Sequence, residues 1–297
     1  MQPKPDTGHS WTDWLTDKAL RSVILCLLLL PYRARVWTMG WVTRRILAPL
    51  AGYNRRSLAN LCLIYPNMSE TQRHQITAGV ADNMGRTFIE NYSTRAFLPR
   101  MEKTAISGPG VDAIQTARET GQPVILASGH FGNYEAARAA LVGRGYDVGG
   151  LYRPARNKYF NKHYAQTMLA FGGPVFEQGL KGTSGFVRHL KSGGLLVLLF
   201  DQHVIDGTAL PFLGKPAATA TSAAQLALRY NALLVPFYAT RLPDGINFDI
   251  QFDAPVPHSD PDSMTRALNA SLEARIQTHP EQWLWIHRRW KISGHKP

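Results

Sequence analysis

The hydrophobic pattern of the chain changes character near residue 104. Before it, apolar positions recur at helical spacing and predict helices over 14–31, 36–50, 55–64 and 69–96, with Pro66 and Pro99 as punctuation. After it, short strand-like runs alternate with helical stretches. The expected strands are 122–128, 146–152, 175–176, 195–200, 233–240, 247–252 and 283–286. The expected helices between them are 133–142, 158–171, 182–191, 221–230 and 261–278. Such alternation predicts an α/β fold, with a mostly parallel central sheet flanked by helices. The expected division is a helical segment over 1–50 and an α/β domain over 51–297. No internal repeat or low-complexity tract interrupts the pattern.

The most apolar run is 22–32, with Val23 to Leu30 followed by Pro31. As a helix it reaches only about 16 Å, against roughly 30 Å for a hydrocarbon core. A secretory signal fits that length, but Pro31-Tyr32-Arg33-Ala34-Arg35 offers no small-x-small cleavage site. The expectation is a helix seated in a membrane surface, not a clean span. Trp37, Trp41, Arg44 and Arg45 suit such an interface. The competing reading is a buried core helix.

Composition adds a preference for anionic partners. Lys and Arg number 33 against 21 Asp and Glu, a net charge of +12, and 44% of residues are hydrophobic, enough for a substantial core. Nucleic acid is the rival anion, but no nucleic-acid motif accompanies the charge, and the leucine-rich N-terminus favours membrane. Cys26 and Cys62 show no metal-ligand spacing, and two thiols make no disulfide framework.

The densest chemistry is Ser128-Gly129-His130-Phe131-Gly132-Asn133-Tyr134-Glu135, just after an expected strand. A histidine with a carboxylate in reach can take a proton from a hydroxyl. Residues five apart do not share a helix face, so His130 and Glu135 cannot both be mid-helix. Gly129 and Gly132 break the pattern, and Asn133 is a good N-cap. That puts His130 in a loop and Glu135 on the first helical turn, where Glu135 could fix the imidazole tautomer. Backbone N–H groups around Gly132 and Asn133 are candidate oxyanion donors, and other donors fit equally. The bland alternative is a loop histidine followed by a capping acid.

Three further places carry candidates. Arg153 precedes Pro154 at a strand end, where it could grip a phosphate with two parallel bonds or form a surface ion pair. Asn157 could position that loop or cap the next helix. Asp201 ends the apolar run 195–200 and is a site residue, organising Arg153, or a turn former. In the C-terminal stretch, Trp283 and Trp285 alternate like a strand face. Arg288 and Arg289 look like contacts for an anionic lipid or a carrier protein.

Four segments in order carry a resemblance: 128–135; Leu151-Tyr152-Arg153-Pro154-Ala155-Arg156-Asn157; Asp201-Gln202-His203 with Pro211 to Ala217; and His279 to Lys291. Together they resemble the bacterial lipid A lauroyl/myristoyl acyltransferase family, within the wider glycerolipid acyltransferase superfamily. The resemblance implies a glycerolipid-acyltransferase-like α/β fold with membrane-associated N-terminal helices. It implies transfer of a fatty acyl chain, lauroyl or similar, from acyl carrier protein to a hydroxyl of a lipid A precursor. His130 would be the base oriented by Glu135. Arg153, Asn157, Asp201, Gly132, Asn133 and Arg288 would lie at the substrate. No metal or organic cofactor is implied, and the location implied is the cytoplasmic face of a bacterial inner membrane. The stretch 157–191 departs from the best-known members, which leaves acceptor choice open. The alternatives are the same chemistry on a lysophospholipid, ornithine lipid or other glycolipid, and a non-catalytic membrane-binding protein of the same fold.

Overall fold

The computed structural model describes residues 11–155 and 157–291. The ends of the expected 1–50 and 51–297 segments, and Arg156 of the second motif, lie outside the described residues.

The first part is helical, as the spacing predicted. Helices α1 (Trp11–Leu28) and α2 (Tyr32–Val42) are followed by a π-helical turn at Thr43–Leu47 and the short α3 (Ala48–Leu50). Then come α4 (Tyr53–Ile64), α5 (Glu70–Tyr92) and α6 (Thr94–Lys103). The Ser69 and Gln72 side chains form a reciprocal capping box that starts α5. The expected single helix 69–96 breaks at Ser93, and Pro99 lies inside α6 instead of ending a helix.

The remainder alternates. In chain order it comprises β1 (Ile106–Ser107), α7 (Gly110–Thr120), β2 (Val124–Ser128), α8 (Tyr134–Gly143), β3 (Val148–Tyr152), α9 (Lys158–Ala170), β4 (Val175–Glu177), α10 (Leu180–Lys191) and β5 (Leu195–Leu199). A hairpin of β6 (Thr208–Phe212) and β7 (Lys215–Thr219) follows, then α11 (Ser222–Tyr230), β8 (Leu233–Arg241), β9 (Phe248–Phe252) and α12 (Pro261–Thr278). Seven strands form one sheet in the order β1-β9-β8-β2-β5-β3-β4, parallel throughout except where β8 meets β9. The α/β class with a mostly parallel, helix-flanked sheet is therefore correct.

Strand β2 is buried along its whole length, as a central parallel strand must be. Its alternate residues feed two cores. Ile125 and Ala127 pack with Phe186, Leu190, Ala224, Leu268 and Leu272 from α10, α11 and α12. Val124 and Leu126 pack with Ile114, Phe97 and the alanines of α8 on the other face. A smaller cluster of Ile24, Val36, Met39, Ile89 and Tyr92 seats α1 and α2 on α5.

The run 22–32 is not a buried core helix. Ile24 is buried, but Val23, Leu25 and Leu29 are exposed, Leu29 at 87%. Trp37 and Trp41 of α2, Ile46 and Leu47 of the π-helical turn and Leu50 of α3 are exposed as well. No described helix is long and apolar enough to cross a membrane. The expected strand 283–286 is also absent. A 3-10 turn at Pro280–Gln282 leads into a single antiparallel bridge between Trp283 and Phe131.

Candidate active site

Strands β2 and β5 are neighbours in register, with Ser128 opposite Leu199. Two residues beyond each strand end stand His130 and Asp201, so the register brings them face to face. They lie at the carboxyl ends of adjacent central strands, where parallel α/β sheets place their sites.

Asp201 is fully buried, and three N–H donors converge on it. Its Oδ1 lies 2.7 Å from His130 Nδ1, and its Oδ2 accepts the His130 backbone N–H at 2.7 Å and Trp283 Nε1–H at 2.9 Å. Burial alone would push the carboxyl up. The adjoining His130, by charge and hydrogen bonds, outweighs burial and holds it well below the usual carboxylate range. An ionised carboxylate only accepts, so the ring proton sits on Nδ1. Nε2 then carries the lone pair, and the Gln202 side-chain nitrogen lies 3.3 Å from it. The imidazole keeps 18% of its side-chain surface exposed, so the lone pair is reachable.

This arrangement corrects the expected partner. Glu135 is on the first turn of α8 and is capped as predicted, with Asn133 Oδ1 accepting its backbone N–H at 3.1 Å. Its carboxylate, however, pairs with Arg138 at 3.2 Å, one turn further along the same helix. Both side chains are buried, and Arg138 also donates to the Val148 and Gly172 carbonyls. Glu135 thus ties α8 to β3 and the segment after α9, while Asp201 fixes the tautomer. The expected Asp201–Arg153 link is also absent: Arg153 is exposed, with no hydrogen bond or ion pair among the described residues.

The loop carrying His130 is held on all sides. Gly132 has φ +55, and a Cβ there would meet the Ala239 carbonyl oxygen at 1.9 Å. Its N–H donates to Gln282 O at 3.0 Å, the Asn133 N–H to Ala239 O at 3.2 Å, and the Phe131 N–H to Gly129 O at 2.8 Å. The expected oxyanion donors around Gly132 are therefore already engaged. The Gly132 carbonyl accepts from Asn83 and Thr87 of α5, and the His130 carbonyl from the Leu284 N–H. Behind the loop, Asn133 Nδ2 donates to Glu90, which forms a buried two-bond ion pair with Arg241. Such a satisfied polar network rigidifies what it holds.

The C-terminal stretch is packing and bracing more than surface. Trp283 and Trp285 are both fully buried. Arg289, expected as a contact for an anionic lipid or a carrier protein, is buried too. Its guanidinium donates to Ala218 O and Thr219 Oγ1 and lies 5.0 Å from the Phe212 ring centre. Arg288 is exposed. Asn157 caps α9 by accepting from Phe160 N and donates to Asp13 O of α1, so it serves the helix junction.

Sequence reasoning gave no site role to two rings beside His130. Tyr134 stands edge-on to it with ring centres 5.7 Å apart; burial, with the nearby Glu135, pushes its hydroxyl well above the usual range. His287 packs edge-on at 4.8 Å. Burial, opposed by Asp201 and aided by His130 and Arg289, pushes its pKa down to about 4. Both lie inside the quoted motifs, which was the available signal.

A lone-pair-bearing imidazole backed by a buried carboxylate, at the carboxyl edge of a parallel sheet, is an arrangement able to take a proton from a nucleophile. The family model for the bacterial lipid A biosynthesis acyltransferases matches residues 2–292. The chain belongs to that family and is an acyltransferase. A lipid A biosynthesis lauroyltransferase of Escherichia coli is 26% identical to it, over 78% of this chain and 77% of that protein. Two lipid A biosynthesis acyltransferases of Haemophilus influenzae are 24% and 25% identical, covering 89% and 98% of this chain and 83% and 94% of their own lengths. An E. coli lipid A biosynthesis myristoyltransferase is 23% identical over 78% of this chain and 73% of its own.

Proposed function

We propose that the protein transfers a fatty acyl chain, lauroyl or similar, from acyl carrier protein to a hydroxyl of a lipid A precursor, with His130 as general base. The observation that carries the reading is the His130–Asp201 pair, 2.7 Å apart with the imidazole Nε2 reachable from outside. In this mechanism Nε2 takes the acceptor proton while the hydroxyl oxygen attacks the thioester carbonyl. The C–O bond forms, the tetrahedral oxyanion collapses, the C–S bond breaks, and the imidazolium returns the proton to the thiolate. Asp201 holds the tautomer and balances the transient charge without leaving its carboxylate form. Arg153 and Arg288, both exposed, are suited to the phosphates of the acceptor or of the carrier's prosthetic arm.

The protein would work on the cytoplasmic face of the bacterial inner membrane. Support comes from the exposed Val23, Leu25, Leu29, Trp37, Trp41 and Leu50, with Arg33, Arg44 and Arg45 exposed beside them. Each apolar side chain that sinks into lipid contributes roughly 1.5–3 kcal/mol at full burial.

The test is a purified transfer reaction with lauroyl-loaded acyl carrier protein and a 3-hydroxyacylated glucosamine disaccharide phosphate, read by mass spectrometry. Product should appear one lauroyl unit heavier, and His130→Ala should abolish it while the protein stays folded. A His130→Ala variant with a tenth or more of parent activity refutes the base assignment. Transfer to a lysophospholipid but not to the disaccharide refutes the acceptor.

A further inference from the structure

We infer that the side-chain amide of Gln202 is the hydrogen-bond donor that stabilises the oxyanion during acyl transfer; this rests on His130 being the base.

The first support is that five N–H groups of the loop and helix start are already engaged. The N–H groups of Phe131, Gly132 and Asn133 all donate to carbonyl oxygens of the protein, and that of His130 to Asp201. The Glu135 N–H is taken by the Asn133 side chain. Turning any of them toward a substrate would break the bracing that fixes the histidine.

The second support is position. Asp201 locks Nδ1–H, so the group facing Nε2 must be a donor, and at 3.3 Å that group is the amide nitrogen of Gln202. An attacking hydroxyl must sit about 2.8 Å from Nε2, with the carbonyl carbon next to its oxygen. The amide that touches Nε2 at rest is thus within reach of the carbonyl oxygen when substrate is bound. When the hydroxyl takes the Nε2 lone pair, Gln202 loses its acceptor, and the oxyanion offers a stronger one.

The third support is anchorage. Gln202 directly follows Asp201, whose side chain is immobilised by three hydrogen bonds, while the Gln202 side chain itself is exposed. Its backbone is placed as exactly as the base, and its amide is free to change partners.

The competing donor is Tyr134, whose ring stands edge-on to His130. Kinetics of Gln202→Met, Gln202→Glu, Tyr134→Phe and His130→Ala, with lauroyl-loaded carrier and the disaccharide phosphate, separate the two. Gln202→Met keeps the shape without a donor and should lower kcat about 100- to 1,000-fold, with KM within about threefold. Gln202→Glu should be at least as slow, since a carboxylate has no N–H and repels the oxyanion. Melting temperatures should match the parent, because the altered side chain is exposed. A Gln202→Met kcat within about threefold of the parent, beside an inactive His130→Ala, overturns the inference alone, and a large loss in Tyr134→Phe then moves the role to the tyrosine. An active His130→Ala overturns the base assignment and this inference with it.

Discussion

Replacing Asp201 with asparagine changes one oxygen to an amide and leaves the volume almost unaltered. The carboxylate accepts three N–H groups, from the His130 backbone, His130 Nδ1 and Trp283 Nε1. Asparagine has one carbonyl oxygen, which can keep the two donors now on Oδ2. Its NH2 then faces Nδ1, which can meet it only as an acceptor. The ring proton must move to Nε2, and the nitrogen that should accept the hydroxyl proton becomes a donor. The same inversion behind a catalytic histidine lowers kcat about 10,000-fold. The stability change should be small by comparison. A mismatched buried donor costs about 1–3 kcal/mol, and removing a buried charge offsets part of that. The assay is kcat with lauroyl-loaded carrier and the disaccharide phosphate, beside a urea titration of the same preparations. A folded Asp201→Asn protein with kcat within tenfold of the parent would refute the reasoning.

Other consequences follow from the same geometry. Glu135→Ala should lower unfolding free energy by about 3–5 kcal/mol, because it strands the buried Arg138 guanidinium. Glu135→Gln should retain kcat within about tenfold; loss as deep as in Asp201→Asn would restore Glu135 as the orienting carboxylate. Gly132→Ala should cost more than about 2 kcal/mol in denaturant titrations, since it adds a clash with Ala239 O to an unfavourable positive φ. The His287 pKa is pushed down to about 4 from 6.5, so between those values the unfolded chain binds the extra proton. Stability should therefore fall by about 3 kcal/mol from this group as pH drops from 6.5 to 4. Asp201 works in a lower window, its stabilising share surviving until pH falls below the ordinary carboxylate range. His287→Phe should flatten the slope above pH 4 in urea titrations, and an unchanged slope would contradict the assignment.

The local unit around His130 was legible because its signals are local. Two glycines, an N-capping asparagine and an apolar run suffice to predict strand, loop and helix. Its partner was not, because the nearest carboxylate in sequence belongs to Arg138, and the one that matters arrives through the β2–β5 register. Strand adjacency is set by the order of crossovers, which spacing does not reveal. The β6–β7 hairpin was missed because Pro211 and Pro216 interrupt its short strands, and its turn uses a non-glycine at positive φ, Leu213. Helix α7 went unpredicted too, having only Gly110, Ile114 and Ala117 buried. The tryptophan alternation at 283–285 imitated a strand because both rings turn inward around a brace.

That brace has a consequence for how activity is acquired during synthesis. Gln282, Trp283 and Leu284 supply the acceptor for Gly132, a donor to Asp201 and the donor to the His130 carbonyl. A growing chain holds the histidine, the aspartate and every strand of the sheet before these residues exist. It can collapse around its core and pair His130 with Asp201, yet the loop that carries the base lacks its brace until residues 282–284 dock. A molecule in which residues 282–284 are undocked would lose these three contacts together, and full bracing of the loop would arrive in one step as that segment packs.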